Sequence, residues 1–171
     1  MLTTVLEVPP ALAVHEGEHV AVVDPPDRYR LRELAASRDR PGTGLVFRTY
    51  HLIPHRTLAE NVVLGLRYHG VPRAERAQRA VAALDSVGLG QRARVLPRAL
   101  SAAQRRLVTI ARALVNRPDL LLCEEPTADL DAAGAAAVLD VLDRLHAGGL
   151  TLVVVTRDEV AAARAQRIVR S

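Results

Sequence analysis

The chain has 171 residues, enough to bury one substantial core and too few for two independently folded domains of ordinary size. Hydrophobic residues make up 49% and charged residues 25%, which excludes a disordered or collagen-like chain. All 23 residues counted as lysine plus arginine are arginine; the formal charge is +4, but the only aromatic residues are Tyr29, Phe47, Tyr50 and Tyr68. So little base-stacking surface argues against nucleic acid as a partner.

The single cysteine, Cys123, excludes an internal disulfide and fits a reducing compartment. Residues 1–14 lack the basic start and long apolar stretch of a signal peptide. The longest apolar runs, near 120–123 and 150–155, fall far short of the roughly 20 residues that cross a bilayer. A cytoplasmic protein is expected, with any membrane attachment made through a partner.

In chain order, residues 19–23 form a short apolar run that reads as a buried strand, and 27–37 carry helix-forming residues. Residues 40–44, Arg-Pro-Gly-Thr-Gly, break the pattern, and 45–47 read as another short strand. Residues 57–69 place Leu58, Val62 and Leu66 at helical spacing. Residues 73–87 do the same with Ala77, Ala80, Val81, Leu84 and Val87, and stop at Gly88. These two helices, within about residues 57–95, read as a helical insert in one domain covering 1–171. Ser101 opens the next helix with Ser-x-x-Gln, a capping box. Strands at 120–123 and 151–156 then alternate with helices at 133–146 and 159–165, ahead of 167–169. That alternation predicts an α/β fold with a mostly parallel sheet and helical crossovers, whose ligands collect at the carboxyl ends of the strands.

The apolar strand Leu120-Leu121-Leu122-Cys123 runs into Glu124-Glu125-Pro126-Thr127, which puts two carboxylates where the sheet edge meets solvent. Taken alone, this is as readily a solvated strand end as a site. Its sequel, Ala128-Asp129-Leu130-Asp131, makes the stretch resemble the Walker B motif and D-loop of ATP-binding-cassette (ABC) proteins. Leu100-Ser101-Ala102-Ala103-Gln104 resembles the family's L-S-G-G-Q signature, and residues 151–158 resemble its last strand and switch region. Residues 51–62 are similar to the segment after the Q-loop in lipoprotein-release and macrolide-export type cassettes. From Phe47 to Val169 the resemblance is continuous.

The resemblance implies a P-loop NTPase-like nucleotide-binding domain that uses ATP and Mg²⁺. It further implies a membrane permease as partner and a second ABC nucleotide-binding subunit, in a homo- or heterodimer, at the inner face of the plasma membrane. It also locates the departures. After Gly17-Glu18-His19-Val20-Ala21-Val22-Val23 the family carries G-x-x-x-x-G-K-[ST], whose backbone N–H groups and lysine hold phosphates and whose hydroxyl meets Mg²⁺. Here the residues are Asp24-Pro25-Pro26-Asp27-Arg28-Tyr29-Arg30-Leu31, with no glycine or lysine. Two prolines remove N–H donors, and two aspartates bring negative charge toward a polyphosphate.

By the same resemblance Glu124 stands in the place of the Mg²⁺-assisting aspartate and is one methylene longer. Glu125 keeps the catalytic-base position. Arg48 replaces the Q-loop glutamine and Arg157 the switch histidine; neither side chain has an acceptor atom. In the signature Ser101 and Gln104 remain while Ala102 and Ala103 replace glycines, and Asp131 keeps the D-loop position at the dimer contact. Strands between the Walker A helix and the Q-loop are expected to be missing, so the N-terminal part is shortened. The expectation is an ABC transporter ATP-binding subunit with impaired hydrolysis; the alternative is a non-catalytic pairing or regulatory module for a competent subunit.

Overall fold

The computed structural model describes residues 4–8, 12–23, 42–67 and 70–170. Two strands, β1 (Thr4–Val8) and β2 (Leu12–His15), pair antiparallel. They are followed by β3 (His19–Val23), β4 (Thr43–Val46), α1 (Leu58–Arg67), α2 (Arg73–Ser86) and α3 (Ala102–Leu114). The chain continues through β5 (Leu120–Glu124), α4 (Ala132–Ala147), β6 (Thr151–Thr156), a one-turn α5 (Glu159–Ala162) and β7 (Arg167–Arg170).

Five strands form one parallel sheet in the order β4-β5-β6-β3-β7. Every residue of β3 and β6 is buried, as are the first four of β5. This is why these strands read as unbroken apolar runs: a parallel sheet is covered on both faces. On one face Leu121, Cys123, Leu152 and Val154 join a core made with α1 to α4. On the other, Leu120, Leu122, Val153, Val155, Val20 and Val22 meet Leu12 and Val14 of β2. Among the described residues, β2 covers the sheet face opposite α1 to α4. Arg167 ties it down, donating to Glu18 Oε1 at 2.6 Å and to the Ala13 carbonyl at 2.6 Å.

The expected insert closes on itself: the Leu58 and Ala59 amides donate to the carbonyls of Val95 and Ala93. Its first helix lies close against α3, and a Cβ at Gly65 would stand 2.9 Å from the Arg112 carbonyl oxygen. Two expectations need correction. Residues 40–44 are expected to break the pattern, with a strand at 45–47; the strand instead runs Thr43–Val46 and contains Gly44. A Cβ there would meet Leu121 Cδ1 at 2.9 Å and the Ala113 carbonyl at 3.1 Å, so glycine permits the close approach of β4 to β5 and α3. The last helix also ends early, at Ala162.

Candidate functional site

The parallel register brings the ends of β3, β4, β5 and β6 to one edge: Val23 lies beside Thr156, Val46 beside Cys123, and Glu124 beside Val155. The segment expected to grip phosphate follows Val23. Asp24, Pro25, Arg28 and Arg30, with the rest of 24–41, lie outside the described residues.

The carboxylates are placed by the end of β5. Glu125 leaves the strand with φ 46°, an unusual conformation for a residue with a side chain, and its N–H stays on the sheet, bonded to the Val155 carbonyl. Both of its side-chain oxygens are engaged. Oε2 accepts from the Thr156 hydroxyl at 3.0 Å, and Oε1 accepts from the Arg157 amide at 3.1 Å. Thr156 also accepts from the Asp158 amide, and Asp158 accepts from the Thr127 hydroxyl at 2.7 Å. This network stitches the loops after β5 and β6 together. Glu124 Oε2 accepts from the Arg48 amide at 3.3 Å. The Arg48 side chain turns outward to Asp129, 3.9 Å away, with both groups largely exposed.

Magnesium prefers a tight octahedron of oxygens. Among the described residues no group of three His, Cys, Asp or Glu side chains converges on a metal position. Glu124 and Glu125 supply two carboxylates to this edge, and Mg²⁺ is commonly held by one or two carboxylates with substrate phosphates and water completing its shell, so Glu124 would hold it only alongside a bound nucleotide. Cys123 lies under this edge, fully buried. Burial pushes its thiol up to about 12, which removes it as a nucleophile.

The residues expected to face a partner form a second group. Ser101 accepts from the Gln104 amide, and the Gln104 side chain accepts from the Ser101 amide at 3.1 Å and from Arg92 at 2.9 Å. Asp131 caps α4, accepting from the Gly134 amide at 2.7 Å. A Cβ at Gly134 would stand 3.1 Å from the Ala103 Cβ, so the signature-like end of α3 and the Asp131 cap of α4 adjoin. Ser101, Gln104 and Asp131 make none of the contacts of Glu124 or Glu125 described above. A cleft of about 550 Å³ opens beside Arg48 and Asp129, walled also by Tyr50, Leu52, Pro97, Arg98 and Arg105 among others.

Two arginines of α3, both in the family-like helix that follows the signature-like segment, matter to this site. Arg106 is fully buried and donates to the carbonyls of Phe47 and Arg48 at 2.7 Å each. Arg112 donates to the carbonyls of Tyr50 and His51 at 2.9 and 2.8 Å. The sequence signal for Arg106 is its position four residues before Ile110, within a helix whose residues 106–111 are all buried.

The order of these elements matches proteins of known kind. A family model described as ABC transporter matches residues 12–128. The macrolide export ATP-binding/permease protein MacB of Rhodospirillum rubrum is 36% identical over 187 positions, covering 93% of this chain and 29% of that protein. The ABC transporter ATP-binding protein YknY of Bacillus subtilis, itself uncharacterized, is also 36% identical over 187 positions, covering 92% of this chain and 81% of the relative. Both alignments are longer than the 171-residue chain, so the relatives hold extra residues within the matched stretch. The ATP-binding cassette MJ0796, solved as a post-hydrolysis dimer bound to ADP and Pi, superposes with a TM-score of 0.70 at 28% identity, covering 99% of this chain and 92% of that one. Sheet order, motif order and these likenesses agree, and the chain belongs to the ABC transporter family, as a form of its ATP-binding domain.

Proposed function

We propose that this chain, read as one domain, is the ATP-binding subunit of an export-type ABC transporter, with its own hydrolysis impaired. It would act in the cytoplasm, at the inner face of the plasma membrane through a permease. The observation that carries the impaired-hydrolysis reading is the state of Glu125. Each of its oxygens accepts one hydrogen bond, from the Thr156 hydroxyl and the Arg157 backbone amide, while the Arg157 side chain, which stands where the resemblance puts a histidine, has no acceptor atom to orient a water beside it. Replacement of the glycine- and lysine-bearing loop by Asp24–Leu31 supports the same reading, since phosphate would meet prolines and aspartates. The cleft beside Arg48 suits a permease segment with acidic side chains: it presents Arg48, Arg98 and Arg105 against Asp129 alone.

The second reading, a pairing module for a competent cassette, is favoured by the adjoining Ala103 and Asp131 surfaces. In that assembly Ser101 and the α3 N-terminus would face the partner's ATP, an arrangement suited to anions.

Titration of the purified chain with ATP and Mg²⁺ by calorimetry, with phosphate release assayed alongside, tests the first reading. The expected result is no turnover above the buffer rate and no change on Glu125→Gln. Turnover that Glu125→Gln abolishes would overturn it.

A further inference from the structure

We propose that Arg106 is a positioning residue that locks the loop 47–51 onto helix α3, with Arg112 holding the far half of the same loop. Four backbone carbonyls, those of Phe47, Arg48, Tyr50 and His51, accept from these two guanidinium groups at 2.7 to 2.9 Å. The Arg106 guanidinium carbon also lies 4.7 Å from the centre of the Tyr50 ring, in cation–π range. His51 is held at φ 44°, a conformation that a loose loop would leave.

The choice of arginine is physically informative. Arg106 is wholly buried, burial pulls its guanidinium below the usual range, and it has no bonded carboxylate. Its Nε has no acceptor among the described residues. A charge in that state carries a desolvation cost that its hydrogen bonds must offset. Its contribution is geometric. The planar fork spans two successive carbonyls, which lysine's single ammonium does not.

Through this lock the loop that gives the Arg48 amide to Glu124, the cleft wall and the Ser101 end of α3 become one body.

Limited trypsin digestion of the full chain tests the lock, because the Arg48–Thr49 bond lies within the clamped loop. In Arg106→Met, cleavage after Arg48 should accelerate about tenfold or more, since two charge-assisted bonds are lost. Cleavage after Arg73 should hold at the wild-type rate, while the melting temperature falls by a few degrees for the two carbonyls left without donors. Arg106→Lys should cleave at an intermediate rate. A folded Arg106→Met that is cut after Arg48 at the wild-type rate, or cut equally faster after Arg73, would overturn the proposal. Should Arg106→Met not fold, Arg106→Lys decides: faster cleavage confined to Arg48 supports the lock and an unchanged rate rejects it. The assay contains no nucleotide and no partner, so its failure is distinguishable from failure of the proposed function.

Discussion

His19 starts β3 with 3% of its surface exposed, its Nε2 lacks an acceptor among the described residues, and its ring centre is 5.4 Å from that of His146. Burial lowers its pKa from 6.5 to about 4, with the His146 charge adding to the effect and Asp143 opposing it. The folded state therefore keeps His19 neutral where the unfolded chain has already taken up a proton. Stability is complete above pH 6.5 and is lost as pH falls from there toward 4. We predict a loss of roughly 2 kcal/mol between pH 7 and pH 4.5, measured by urea denaturation, and a flattened profile in His19→Leu. Glu18 does not confuse that window: its ion pair with Arg167 holds its pKa below the usual 4.5, so its own contribution is lost at more acidic pH.

At the N-terminus of α3, Ser101 and Gln104 form a reciprocal capping box, and a second donor, Arg92, fixes Gln104. Ser101→Ala should cost about 1 kcal/mol of stability, read as a shift of the urea midpoint at unchanged slope. This element shows why much of the fold was legible. Ser-x-x-Gln marks the cap in sequence, the buried runs at β3, β5 and β6 mark the parallel sheet, and Thr151–Thr156 was bounded as observed. The candidate site was read from Glu124-Glu125 and the signature-like Ser101–Gln104, which lie at the end of β5 and the start of α3. What escaped was set by distant contacts. Gly44 reads as a breaker until α3 is seen to press on it, and nothing local shows that Leu12 and Val14 cover the far face of the sheet. The loop clamp escaped because its acceptors are backbone carbonyls 58 to 62 residues away from Arg106 and Arg112, which no side-chain pattern records.

For the whole molecule the open question is assembly. Glu125 accepts two hydrogen bonds at the strand-end edge and the Arg48 side chain there turns toward Asp129, whereas the end of α3 and the cap of α4 adjoin. On the proposed pairing reading, such a chain depends on a partner that brings its own phosphate loop. Mixing it with a hydrolysis-competent export cassette in ATP should give a heterodimer by size-exclusion chromatography with light scattering. Ala102→Arg, which puts a large cation on the first turn of α3 without touching the core, should weaken that complex about tenfold or more at an unchanged melting temperature. Absence of any complex with the wild-type chain, under conditions where the competent cassette pairs with itself, would reject the pairing reading. Equal binding of the Ala102→Arg chain would instead move the contact away from α3. The two outcomes separate because the variant probes the surface, while the wild-type mixture probes whether the chain pairs at all.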